Sequence, residues 1–150
     1  MESGRWIKLI IYKMEKKRLE KLLIIGLGSM GKKYLDLLLK NWPEIKIAVL
    51  TSNTQHVFEN YSHNIEIFGN LKSAIKWNPS AAIIASPATF HLDQAIFLSK
   101  VGIPLLIEKP LGGGKESKNE LKEISYYSSK NIILMGYVLR HSPCATYLKK

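Results

Sequence analysis

The chain of 150 residues has one cysteine, Cys144, so no disulfide can form within it and no cysteine cage can hold a metal; no metal site is expected. A lone thiol suits a reducing, cytoplasmic setting. No apolar run approaches the roughly 20 residues a membrane-spanning helix needs, so no membrane partner is expected. The greasy patch from Trp6 to Tyr12 is broken by Lys8 and lacks a small-residue cleavage site, which argues against a signal peptide. No aromatic stripe alternates with the positive charge. The 22 Lys and Arg against 12 Asp and Glu, a formal +10, therefore read as a solvated basic surface, and no nucleic-acid partner is expected. Internal repeats and low-complexity segments are absent.

What is present is alternation. With 46% hydrophobic residues the chain can bury one domain-sized core. Short, nearly continuous apolar runs predict strands at Lys21–Ile25, Ile45–Leu50, Ile65–Phe68, Ala81–Ala85, Leu105–Ile107 and Ile132–Val138. Between them, helical spacing and caps predict helices at Ser29–Asn41, Leu71–Lys76 with Asn70 as cap, Phe90–Lys100 and Lys115–Ser129, and a weaker one at Thr54–Tyr61. Strands alternating with helices over short connections imply an α/β fold, a doubly wound and mostly parallel sheet. Residues 1–18 are expected to form a loosely ordered extension, with Met14 an alternative start, and 19–138 to form the domain.

The first strand runs into Gly26-Leu27-Gly28-Ser29-Met30-Gly31. Gly26 permits the tight turn, Gly28 removes a side chain where a diphosphate must approach the backbone, and Gly31 lets the helix lie close to the sheet. The helix opening at Ser29 and Met30 aims its unsatisfied N–H groups and positive dipole end at the phosphates. A strand before the glycines and a helix after them make dinucleotide binding the expectation.

A carboxylate for the adenosine ribose is expected about 20 residues further on. The sequence there is Leu50-Thr51-Ser52-Asn53. Thr51 and Ser52 can donate to a 2′-phosphate but cannot supply a charged acceptor for a free ribose, so the cofactor is NAD or NADP with a lean towards NADP. The alternative is an ordinary polar loop in a chain whose cofactor binding has decayed.

Three later strands end in Ser86-Pro87-Ala88-Thr89-Phe90-His91, Glu108-Lys109-Pro110 and Gly136-Tyr137-Val138-Leu139-Arg140-His141-Ser142-Pro143. Carboxyl ends of parallel strands are where ligands bind in such sheets. With the glycine turn, these motifs resemble the glucose–fructose oxidoreductase / inositol dehydrogenase (Gfo/Idh/MocA) family over roughly residues 20–150. The resemblance implies a Rossmann domain followed by a larger substrate domain, and hydride transfer between NAD or NADP and a sugar- or polyol-type hydroxyl. It implies that Ser86, Pro87, Thr89 and His91 pass the cofactor, and that Glu108, Lys109 and Pro110 form the catalytic-lysine motif, with Lys109 beside both nicotinamide and substrate. It also implies that Arg140 and Pro143 begin the crossing into the second domain, at 139–150. A partly desolvated, positive surrounding would ease proton exchange between Lys109 and a hydroxyl; the alternative is a surface lysine in the turn made by Pro110 and Gly112-Gly113-Gly114. His91 either touches cofactor, caps the following helix or fills a groove. Glu108 either orients the loop or receives a hydrogen bond from the ribose.

The family's substrate domain, with an Asp/His pair that works with the lysine, has no counterpart in this sequence. The expectation is a truncated frame, a split gene product or an isolated amino-terminal domain, inactive alone. Its partners would then be a homo-oligomer or a complementing carboxy-terminal chain, and a non-catalytic nucleotide-binding regulatory module stays open as the alternative.

Overall fold

A computed structural model of the chain describes residues 19–52, 61 and 65–137. Six parallel strands form one sheet: β1 (Lys21–Ile25), β2 (Lys46–Leu50), β3 (Ile65–Phe68), β4 (Ala81–Ile84), β5 (Leu105–Ile107) and β6 (Ile133–Met135), in the order β3-β2-β1-β4-β5-β6. The order reverses between β1 and β4, which makes the crevice above that pair the topological switch point. Among the described residues, four helices accompany the strands: α1 (Ser29–Asn41), α2 (Leu71–Lys76), α3 (His91–Lys100) and α4 (Lys118–Ser128).

The alternation of side chains along each strand divides the core in two. Leu22 and Ile24 of β1 join Ile47, Val49, Ile83 and Leu106 on the face that receives Tyr34, Leu35 and Leu38 of α1. Leu23 and Ile25 join Ala48, Ala82, Ile84, Leu105 and Ile107 on the opposite face, against Leu92, Ala95 and Leu98 of α3 and Ile124 of α4. Because both faces are covered, β4 and β5 are buried at every residue, which is why they read as unbroken apolar runs rather than alternating ones.

The expected α/β class and doubly wound sheet hold, and the differences lie at element ends. Strand β2 starts at Lys46, because the Ile45 N–H bonds the Trp42 carbonyl (3.1 Å) and belongs to the turn. Strand β4 stops at Ile84, one residue early, and β6 is confined to Ile133–Met135. Helix α3 begins at His91, after a single 3-10 turn at Ala88–Phe90. The expected helix from Lys115 starts at Lys118 instead. Ser117 accepts from the Glu120 N–H (3.2 Å) while the Glu120 carboxylate accepts from the Ser117 N–H (2.6 Å), a reciprocal cap that fixes the first turn. Residues 1–18, the helix expected at Thr54–Tyr61 apart from Tyr61, and Val138 to Lys150 lie outside the described residues. Among the described residues, no helix is long and apolar enough to cross a membrane.

Candidate functional site at the carboxyl ends of the strands

The sheet ladder continues one hydrogen bond into each loop above it. Gly26 N–H donates to Leu50 O (2.8 Å), Ala85 to Ile25 O (2.8 Å), Glu108 to Ile84 O (2.9 Å) and Gly136 to Ile107 O (2.8 Å). The loops that carry candidate residues are therefore held by backbone before any side chain acts. The loops after β1, β2, β4 and β5 border an open cavity of about 800 Å³.

At the β1 end the wall is backbone. Gly26 has φ +89°, and a Cβ there would lie 2.6 Å from the Ser86 backbone. A Cβ on Gly31 would lie 2.0 Å from the Gly26 carbonyl oxygen, so α1 can cross the turn only without a side chain at that position. Gly28 is different: nothing stands within 4 Å of its missing Cβ, and it borders the cavity. Helix α1 starts there with no side-chain cap and no acidic residue in its first turn. Its positive end thus opens onto the cavity beside Ser29 and Met30.

Thr51 and Ser52 line the cavity beyond β2, joined by Gly69 and Asn70, and no carboxylate borders that side among the described residues. Asn70 caps α2 by accepting from the Ser73 N–H (2.9 Å).

At the β4 and β5 ends the wall is made of side chains. Ser86 donates through its hydroxyl to Gln94 Oε1 (2.7 Å). His91 is 2% exposed, with Nδ1 2.7 Å from Pro110 O and Nε2 2.7 Å from Ser86 O. Both partners only accept, so a neutral ring satisfies one carbonyl and a ring carrying two protons satisfies both. The imidazole thereby ties the loop after β4 to the loop after β5. It is the first residue of α3, and its backbone N–H closes the 3-10 turn on Ala88 O, but its side chain caps neither helix and reaches the other loop instead.

Glu108 is 4% exposed and borders the cavity. The Tyr34 hydroxyl of α1 donates to its Oε1, and the Lys109 N–H donates to its Oε2 (3.3 Å). Burial, then the hydrogen bond and the charge of Glu108, hold the Tyr34 proton well above the ordinary tyrosine range. A Cβ on Gly136 would lie 3.0 Å from Glu108 Oε1, so that glycine makes room for the carboxylate. Lys109 follows at the cavity edge, exposed, before a cis Lys109-Pro110 bond.

Of the candidates drawn from sequence, Gly26, Gly28, Ser29, Met30, Thr51, Ser52, Ser86, Pro87, His91, Glu108 and Lys109 all border this one cavity. Gly31 and Thr89 do not. Gly31 packs under the turn, and Thr89 packs on Gly113, where an added Cβ would meet its Cγ2 at 2.8 Å. Arg140, His141 and Pro143 lie outside the described residues. Tyr34, Gln94 and Gly136 were missed as site residues. Tyr34 has only the helical spacing of its neighbours in sequence, and only a fold can bring it to Glu108, 74 positions away.

A family model described as "Oxidoreductase family, NAD-binding Rossmann fold" (GFO_IDH_MocA) matches residues 21–134. The inositol 2-dehydrogenase of Corynebacterium glutamicum (strain R) is 26% identical over 132 residues, covering 85% of this chain and 39% of its own length. A myo-inositol 2-dehydrogenase from Lactobacillus plantarum superposes with a TM-score of 0.74 at 26% identity, covering 88% of this chain and 40% of that one. The scyllo-inositol dehydrogenase of Lactobacillus casei, solved with bound NAD(H) and scyllo-inositol, shares the fold at a TM-score of 0.74 and 22% identity, again over 88% and 40%. The chain thus spans about two-fifths of the length of these relatives. With the family model matching most of the chain, on a sheet whose switch point lies under a glycine turn, the chain belongs to the Gfo/Idh/MocA oxidoreductase family through its NAD-binding Rossmann fold.

Proposed function

We propose that this chain holds a nicotinamide dinucleotide across the carboxyl ends of β1, β2, β4 and β5. Joined to a substrate domain, it would serve hydride transfer to or from a polyol- or sugar-type hydroxyl. The observation that carries the reading is the uncapped start of α1, where the one glycine of the turn with open space at its missing Cβ faces the cavity. Amide N–H groups there, with the helix dipole, suit a diphosphate. The residues therefore fit the cofactor.

In this reading, Gly28, Ser29 and Met30 hold the diphosphate. Thr51 and Ser52 meet the adenosine ribose, and the absence of a carboxylate beside them among the described residues leans the choice towards NADP. Ser86, Pro87 and His91 shape the wall for the other half, and Lys109 exchanges the proton of the substrate hydroxyl. The bound nicotinamide supplies the hydride acceptor or donor. Polyols are the substrate class favoured by the inositol dehydrogenases among the relatives. The remaining three-fifths of those relatives' length is where a complementing chain or an oligomeric partner would act, and the lone Cys144 suits a cytoplasmic protein.

Calorimetric titration of the purified chain with NADPH and with NADH is expected to give dissociation constants below about 1 mM, about −4 kcal/mol. Gly28→Trp, whose Cβ meets nothing within 4 Å and whose ring would crowd the cavity, is expected to abolish the heat while circular dichroism stays unchanged. Absence of binding by both cofactors overturns the reading. Turnover of a polyol on mixing with a separately made substrate domain would exclude a purely regulatory module.

A further inference from the structure

Glu108 is a carboxylate that the fold goes to some length to bury. It is 4% exposed, and among the described residues it has no ion pair. Its Oε2 accepts from a backbone N–H, which can only donate, and its Oε1 accepts from a hydroxyl that keeps its proton. Both oxygens are used as acceptors, the pattern of the ionised form. Gly136 leaves the volume the group occupies. A buried charge without a counterion is costly, and one at a cavity wall throws its field into the cavity. The nearest cation in sequence, Lys109, is exposed at the rim of the same end.

The proposed diphosphate site lies at α1 and the adenosine side at Thr51 and Ser52, so the nicotinamide half is left to the β4 and β5 end, where Glu108 and Lys109 stand. The oxidised nicotinamide ring carries a positive charge and the reduced ring none, while the rest of the molecule is the same. We infer that Glu108 and Lys109 act as an opposed pair that sets which oxidation state of the dinucleotide the domain holds, Glu108 favouring the oxidised form and Lys109 the reduced one. The inference rests on the dinucleotide-binding reading.

The test measures dissociation constants for the oxidised and reduced members of whichever pair binds, NADP or NAD, in the wild type and variants at one pH and ionic strength. Glu108→Gln keeps the shape and removes the charge. It is expected to weaken the oxidised form relative to the reduced form by about tenfold, the scale of one nearby charge at a protein surface. Glu108→Asp, which keeps the charge, leaves the ratio close to wild type. Lys109→Gln moves the ratio the opposite way by about threefold, less because an exposed charge is screened. A merely structural role for Glu108 would weaken both forms alike and leave the ratio unmoved, and that result overturns the inference. If Glu108→Gln does not fold by circular dichroism, the Lys109→Gln ratio decides: a shift towards the oxidised form supports the opposed pair, and none overturns it. A wild type that binds neither form fails the dinucleotide reading instead, which the ratio in a binding protein cannot mimic.

Discussion

The two ends of the cavity are built by opposite means. Above β1 the wall is made by removing side chains: Gly26 and Gly31 each stand where a Cβ would collide with backbone, and Gly28 leaves open space. Above β4 and β5 the wall is made by burying polar side chains, with His91 bridging two carbonyls and Glu108 held between Tyr34 and the Lys109 N–H. The first construction turns an uncapped helix start and its dipole towards the cavity, which would suit an anion of fixed geometry. The second presents charges and hydrogen bonds whose strength depends on their partners, and it can be tuned one residue at a time. On the proposed dinucleotide reading, a diphosphate is common to all such cofactors whereas the reacting end changes charge on reduction, and the division of materials would follow that difference.

The strongest way to break the contrast is at the glycines. Gly31→Val drives a branched side chain into the Gly26 carbonyl, 2.0 Å from the new Cβ, and is expected to destabilise the fold by about 3 kcal/mol or more. The Cβ of Gly28→Val meets nothing within 4 Å, and the change should cost no more than about 1 kcal/mol, the scale of a helix-cap change. Urea melts of the two variants check this. Equal losses would mean that Gly28 is held for packing, and the backbone-built wall would lose its special position.

The same contrast explains what could be read in advance. A steric requirement met by glycine leaves its mark at fixed spacing, so Gly26, Gly28 and Gly31 were legible with distinct roles, and so were the strands whose two buried faces demand continuous apolar residues. The side-chain wall was only half legible. His91 and Glu108 stood out because they follow strand ends, but their partners did not. Tyr34 has the spacing of a core residue and is one; its hydroxyl finds Glu108 only because α1 packs across the β1–β5 part of the sheet. Gly136 has no local turn signature, since what it avoids is a side chain from another strand. The start of α4 was misjudged for a related reason. Lys115 and Glu116 favour helix by composition, but the Glu116 carboxylate binds back to the Gly114 N–H (2.9 and 3.0 Å), and the Ser117–Glu120 cap takes over.

Between the two loops of the side-chain wall, His91 is the tie. His91→Ala leaves the Ser86 and Pro110 carbonyls without a buried partner, at an expected cost of about 2–3 kcal/mol. Hydrogen exchange locates the effect better than a melt does. Amides in 86–90 and 111–114 should exchange faster while Leu22–Ile25, at the sheet centre, stay protected up to the lowered global stability. Uniform acceleration would make His91 an ordinary core residue rather than a link between loops.

A smaller effect than that of His91 concerns Tyr34, and its sign is fixed by proton linkage. In the folded chain the hydroxyl holds its proton more tightly than the ordinary value of 10.0, through burial and then Glu108, so the folded state keeps a proton that the unfolded chain releases. The contribution is complete below that ordinary value and is lost as pH rises through and beyond it. Tyr34→Phe removes the donor to Glu108 and should cost about 1–2 kcal/mol at neutral pH. The other six tyrosines and the lysines add their own alkaline slope, which both proteins share, so the informative quantity is the difference between their urea stabilities as pH is raised. Wild type should lose its advantage above about pH 10, converging on the variant. Parallel curves would show that the hydroxyl and the carboxylate are not joined as described. Glu108 would then owe its burial to the backbone alone, and the side-chain wall would resemble the glycine wall after all.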